Sequence, residues 1–245
     1  MAYAQERQEW SRFFKQAEAR GTIIVVDARN MENAVFIHNG QRAEARFSPA
    51  STFKIPHSLF ALDAHLLHDE FDVIAWDGVS RAIPTWNANQ TLRSAMRNST
   101  VWVYEKFAAK LGAQRMQDYL RRIQYGNMRT SGGKPFWIEG DLAISAEEQI
   151  AFLRHLYANK LAFPIEHQRL VKDVMINEAG SDWILRAKTG WTGTIGWWVG
   201  WVERTDGPVF FALNIDTPGR LADLAKRQEI GRKILASINA LPEIY

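Results

Sequence analysis

The sequence predicts a single α+β unit: one antiparallel sheet built from both chain termini and flanked by helices, with an all-helical segment inserted between them. Three observations carry this. Short apolar segments punctuated by turn signals occupy 22–47 and return at 183–215; helical periodicity fills the interval; and amphipathic segments bracket both ends of the chain. A chain of 245 residues is long enough for one large domain or two interleaved subdomains. The division expected is 1–50 together with 178–245 for the α/β part, and 51–177 for the mainly helical part, with the crevice between them as the natural site.

Taken in order, Trp10, Phe13, Phe14 and Ala17 recur at helical spacing among charged neighbours, so residues 3–19 read as an amphipathic helix ended by Gly21. Three strands follow, Thr22 to Asp27, Ala34 to His38 and Arg42 to Phe47. The last two are joined by Asn39-Gly40, a strong hairpin signal. From Ser51 the pattern turns helical. Val101, Tyr104, Ala108 and Leu111 share one face, as do Met116, Tyr119, Leu120 and Ile123, and Ser145 with Glu148 forms a capping box before Ile150, Leu153 and Tyr157. Leu170, Val171, Val174 and Met175 mark one more helix. Strand character returns in Trp183 to Thr189, Gly196 to Glu203 and Val209 to Ile215, with only a tight connection between the first two. Thr217-Pro218 then opens a C-terminal helix whose apolar face carries Leu221, Leu224, Ile234, Leu235 and Ile238.

Composition removes several classes of function. Thirty Lys and Arg against twenty-seven Asp and Glu leave a net charge of +3 without a basic block, so nucleic acid is not an expected partner. The absence of cysteine excludes disulfides, thiolate metal sites and cysteine nucleophiles together. No uncharged run reaches the roughly 20 residues of a membrane span, and no membrane partner is expected. The first seven residues lack the order of a signal peptide, so the chain is either cytosolic or has had a signal removed and Met1 added.

Ser51-Thr52-Phe53-Lys54 sets a hydroxyl and an amine three residues apart, stacked on one face of a helical turn, where a neutral lysine can take the serine proton. An N-cap serine and a solvated lysine explain the same residues, and Pro56 disturbs a regular helix there. A second Ser-x-x-Lys, Ser131 to Lys134, contains paired glycines that argue against a helix. Lys188-Thr189-Gly190 ends a strand; Ser99 stands where a helix begins and, taken alone, reads as its cap; Tyr125-Gly126-Asn127 reads as a C-terminal helix stop; and Trp137 to Gly140 as a core tryptophan with a turn. His65-Leu66-Leu67-His68 departs from His-Glu-x-x-His and shows no third ligand, which leaves a zinc hydrolase as a weak rival and no metal expected.

In this order, Ser51-x-x-Lys54, Ser99-x-Val101, Tyr125-Gly126-Asn127, Trp137-x-x-Gly140 and Lys188-Thr189-Gly190 resemble the full motif set of the class D serine β-lactamases, the oxacillinases. The stretches 48–64, 92–105, 137–153 and 183–216 are similar to that family throughout. The wider superfamily shares Ser-x-x-Lys and Lys-Thr-Gly, whereas the Tyr-Gly-Asn and Trp elements point to class D. The resemblance implies a serine β-lactamase/transpeptidase-like fold and hydrolysis of penicillin-type β-lactams, giving antibiotic resistance. It implies Ser51 as the nucleophile that becomes acylated. Lys54 is then the general base once CO2 has carboxylated it, with no other cofactor and with the Trp137 indole as hydrogen-bond donor.

The same resemblance makes the backbone N–H groups of Ser51 and Trp191 the oxyanion hole and Ser99 the proton relay to the ring nitrogen. Lys188, Thr189, Gly190 and Arg227 are then on the substrate-carboxylate side, Val101 and Ile138 flank the lysine and bind substrate, and Tyr125, Gly126 and Asn127 are structural. The partner implied is a small-molecule β-lactam, the compartment the periplasm, and a homodimer is left open. The nearest rival is a β-lactam sensor domain, acylated at the same serine without turnover and normally tethered to a membrane span. A penicillin-binding transpeptidase lacks the Tyr-Gly-Asn and Trp elements.

Overall fold

The computed structural model describes residues 4–31, 33–219 and 221–243. Its sheet has seven strands: β1 (Gln5–Glu6), β2 (Gly21–Asp27), β3 (Ala34–His38), β4 (Ile176–Ala179), β5 (Trp183–Trp191), β6 (Ile195–Arg204) and β7 (Gly207–Asp216). The order across it is β1-β3-β2-β7-β6-β5-β4, antiparallel throughout except for the parallel β1–β3 pair. The two ends of the chain meet in the middle of the sheet, where Ile24 of β2 pairs with Ile37 of β3 on one side and Ala212 of β7 on the other.

Period-two alternation divides the sheet's side chains between two cores. Ile23, Val25, Trp198, Val202, Phe211 and Leu213 face α1 (Ser11–Gln16) and α8 (Leu224–Ser237), packing with Trp10, Phe13, Phe14, Ile230, Ile234 and Leu235. Their neighbours Ile24, Val26, Trp197, Val199, Trp201, Phe210 and Ala212 face the helical middle. That middle comprises α3 (Lys54–Asp63), α4 (Leu92–Arg97), α5 (Val101–Arg122), α6 (Ala146–Tyr157) and α7 (Ile165–Val174). Of these, α6 lies on the sheet itself, with the Tyr157 ring edge-on to Phe210 and Trp201 at 5.5 and 5.9 Å. The Ser145–Glu148 capping box opens α6 as predicted. The two predicted faces at 101–111 and 116–123 fall in one element, α5, interrupted at Gly112, whose φ of 74° breaks the helical path.

Four local expectations are corrected. Arg42 to Phe47 is not a strand: Gly40–Glu44 forms a short helix, α2, with Asn39 left-handed at φ 60° and its side chain accepting from Arg42 N–H. The reason lies in the sheet, because β1 and β2 already occupy the two edges of β3 and leave no room for a hairpin partner. That same pairing shortens the N-terminal helix, since Gln5–Glu6 is drawn into β1, helix α1 ends at Gln16, and Tyr3 lies outside the described residues. The C-terminal helix opens at Leu224 rather than at Thr217-Pro218; Leu221 is 70% exposed and takes no part in the apolar face. The stop of α5 is not Gly126 but Gln124, left-handed at φ 50°, with Tyr125 N–H returning to Leu120 O.

Candidate active site

Ser51 sits on a 3-10 turn, Ala50–Phe53, that runs directly into α3. A 3-10 turn eclipses residues i and i+3, which brings Lys54 Nζ to 2.8 Å from Ser51 Oγ. Helix α3 begins at Lys54, so Pro56 is its third residue, where a backbone N–H has no intrahelical acceptor and proline does no harm. The residue before the serine, Ala50, is left-handed at φ 47°, a strained conformation of the kind that gathers at reacting centres. The turn is over-determined by its surroundings: Thr52 donates from both N–H and Oγ1 to Pro49 O at 3.1 and 2.7 Å, and Gln149 Nε2 donates to Thr52 Oγ1 at 2.9 Å.

Strand β5 brings the second half of the site. It extends through Lys188-Thr189-Gly190 to Trp191 rather than stopping at Thr189, and it runs against the serine turn. A Cβ added to Gly190 would stand 2.8 Å from Pro49 O and 3.3 Å from Ser51 N, so only glycine allows this approach. Arg227, on the first turn of α8, donates from Nη1 to Gly190 O at 2.6 Å.

The electrostatics follow from burial. Lys54 is wholly buried, and desolvation, followed by the charge of Lys188, holds its amine well below the ordinary lysine range, with Glu105 opposing weakly. Lys188 is brought down to about 7 by burial and then by Arg227; burial alone lowers Arg227 to about 10. Arg227 and the protonated form of Lys188 thus set positive charge beside a serine whose own lysine partner is held toward neutrality, a field that draws an anionic ligand.

The Trp137 loop closes the far side. Ser48 Oγ donates to Trp137 O at 2.8 Å and Trp197 Nε1 to Ser48 O at 2.9 Å, tying that loop to the segment before the nucleophile. The Trp137 indole is 1% exposed, lies against Phe53 and His57, and its N–H is buried without a partner among the described residues. Ile138 beside it is half-buried. The start of α5 forms the remaining wall. Ser99 is left-handed at φ 56° and Thr100 holds the N-cap position, so Ser99 is not the helix cap, and its hydroxyl makes no hydrogen bond among the described residues. Val101 opens α5, and one turn on the Tyr104 ring lies 5.1 Å from Lys54 Nζ.

Tyr125 is buried against Phe53 at 5.6 Å; Gly126, at φ 54°, backs onto Ala143 O; and Asn127 bridges Asp141 O and Ala143 N–H at 2.7 and 3.0 Å. This triplet braces the turn rather than lining it. The second Ser-x-x-Lys forms no pair: Ser131 and Lys134 are exposed, and Ser131 Oγ donates to Asp141 instead. His68 engages Asp72 Oδ2 at 3.2 Å on the surface.

Sequence reasoning passed over three residues of the site. Tyr104 and Ser58 are joined, hydroxyl to hydroxyl, at 3.2 Å, and Ser58 Oγ donates to Lys54 O at 2.7 Å. His57, with both ring nitrogens buried and unpartnered among the described residues, packs 5.2 Å from Trp137 and is lowered to about 3 by burial and by Lys54. The available signal was spacing, since 57 and 58 follow Lys54 by three and four residues on one helix.

The described fold and its serine–lysine pair define a protein of the penicillin-binding class: the family model "Penicillin binding protein transpeptidase domain" matches residues 21–236. Beta-lactamase OXA-3 of Pseudomonas aeruginosa is 60% identical over 239 residues, 97% of this chain and 86% of that one. Beta-lactamase OXA-48 of Klebsiella pneumoniae is 43% identical over 97% of this chain and 91% of its own. Among solved structures, the class D β-lactamase YbXI from Nostoc superposes with a TM-score of 0.90 at 38% identity, covering 95% of this chain and 99% of that one. FUS-1 (OXA-85) from Fusobacterium nucleatum subsp. polymorphum gives 0.91 at 37%, covering 97% of this chain and 100% of its own. The chain belongs to the class D β-lactamases, and it is an enzyme, a β-lactam hydrolase.

Proposed function

We propose that this enzyme opens penicillin-type β-lactams, and so gives resistance to them, through an acyl-enzyme on Ser51, with Lys54 acting in its N-carboxylated form. The observation that carries this reading is the 2.8 Å contact between Ser51 Oγ and a wholly buried lysine whose amine is held toward neutrality. Only the neutral amine adds CO2. The surroundings fit the product: the unpartnered Trp137 N–H is a donor for a carbamate oxygen, and Lys188 offsets its charge. Carbon dioxide bound in this way supplies an anionic general base beside the serine.

The chain's own residues account for the rest. Ser51 Oγ bonds to the lactam carbonyl carbon, and the oxyanion formed is met by the N–H groups of Ser51 and Trp191, a contribution of roughly 3 to 4 kcal/mol per donor in related chemistry. As the ring C–N bond breaks, Ser99 passes a proton to the departing nitrogen. Lys188, Thr189 and Arg227 hold the substrate carboxylate, and water then hydrolyses the Ser51 ester between Val101 and Ile138. We place this action in the periplasm.

The test is turnover combined with intact-protein mass. Ser51→Ala abolishes hydrolysis and acylation while leaving the melting temperature close to that of the parent, whereas Ser131→Ala stays active. Many turnovers per chain separate the hydrolase from an acylated sensor. Hydrolysis surviving in Ser51→Ala defeats the reading.

A further inference from the structure

The turn between β5 and β6 is latched to the segment that follows β7. Trp191 Nε1 donates to Thr217 Oγ1 at 3.0 Å, and the same hydroxyl lies 3.4 Å from the Gly193 carbonyl that accepts its proton. Backbone bonds close the same gap, from Thr217 N–H to Thr194 O at 2.7 Å and from Gly219 N–H to Gly193 O at 2.9 Å. Thr217 is fully buried, and its methyl group would stand 3.1 Å from a Cβ on Gly196. From the other side, Arg227 Nη1 grips Gly190 O at 2.6 Å.

The carbonyl of Gly190 and the N–H of Trp191 belong to one peptide group. Arg227 therefore holds one end of that group, while Thr217 fixes the side chain that hangs from the other. A charge-assisted bond to the carbonyl also polarises the N–H opposite it, strengthening it as a donor. The group lies against the nucleophile, at the glycine where an added Cβ would run into Pro49 O and Ser51 N.

We propose that Thr217 is a positioning residue for the oxyanion hole: through the Trp191 indole and the Gly193 turn it sets the angle at which the Trp191 N–H meets the reacting carbonyl. The proposal rests on the reading above that this N–H is one of the two oxyanion donors. A donor that remains present but badly aimed costs transition-state stabilisation and leaves ground-state binding nearly untouched. Its signature is therefore a split between kcat and KM.

The experiment compares Thr217→Val, Thr217→Ser, Trp191→Phe and the double variant Thr217→Val with Trp191→Phe, on a chromogenic cephalosporin in saturating bicarbonate, with a melting curve for each. Thr217→Val keeps the buried shape and removes the acceptor; kcat is expected to fall roughly tenfold, short of the roughly hundredfold or more lost when a donor is removed outright. KM stays within about twofold, Thr217→Ser restores the rate, and Trp191→Phe reproduces the loss. Because Thr217→Val already removes the Trp191–Thr217 bond together with the bond to Gly193 O, adding Trp191→Phe takes away nothing further, and the double variant falls no further than the worse single one. A Thr217→Val enzyme with the parent kcat, a serine variant no better than valine, a loss confined to KM, or losses that multiply in the double variant each overturn the proposal. Hydrolysis by Ser51→Ala would instead remove the acyl-enzyme reading beneath it.

Discussion

At the scale of the residue, the site turns on one amine kept away from water. Lys54 has no exposed surface, and burial together with Lys188 holds it toward the neutral form that CO2 requires. Protonation of the amine removes that form. Activity is therefore expected to fall in CO2-depleted buffer, most steeply toward the acid end of roughly pH 5 to 8, and to recover on adding bicarbonate. Trp137→Ala deepens the loss by deleting a donor and admitting water. Initial rates across that range decide the matter, and a rate indifferent to bicarbonate at every pH sinks the carbamate. Ser51, Lys54 and the Lys188 triplet were legible because their chemistry is tied to short spacings. The wall of Tyr104, Ser58 and His57 was not, since a tyrosine forty-six residues from Ser58 announces no partner in the sequence.

At the scale of the element, α8 shows how packing sets a binding residue. Gly231 lies where a Cβ would come within 2.5 Å of the Trp198 ring, so the helix rests on β6 with no side chain between them. Arg227 is one turn earlier on the same buried face. Gly231→Ala forces the ring or the helix to move; a loss of about 1 to 3 kcal/mol is expected, as for other overpacked sites, with a raised KM as Arg227 withdraws. Urea unfolding and steady-state kinetics test both, and an unchanged midpoint refutes the packing argument. Strands β6 and β7 could be read as short apolar runs because both their faces are buried, Trp197, Val199 and Trp201 on one and Trp198 and Val202 on the other. Asn39-Gly40 misled because the left-handed residue it promised is present, but the neighbouring edge of β3 was already taken by a segment more than thirty residues earlier. Local turn chemistry carries no information about which edge is free.

At the scale of the whole molecule, buried bases make folding itself depend on pH. Lys188 titrates near 7 when folded against 10.5 unfolded; between those values only the unfolded chain holds the proton, so stability rises with pH across that window and the cost is fully present below 7. His57, about 3 against 6.5, adds a further loss as pH falls from 6.5 toward 3. In CO2-free buffer the urea midpoint is expected to be highest near about pH 9, lower near about 7 and lowest near about 5. Lys188→Met flattens the upper step. A midpoint that falls from 7 to 9 contradicts the assignment. One consequence of the sheet order concerns time rather than energy. Strand β2 completes its pairing only with β7, which is synthesised long after it, and a two-stranded ribbon of β2 and β3 is marginal alone. Ser51 and Lys188 likewise stand on opposite sides of that long interval. A growing chain therefore passes through most of its synthesis with its nucleophile already made and nothing for it to work with, and catalysis begins only when the final strands arrive to close the sheet.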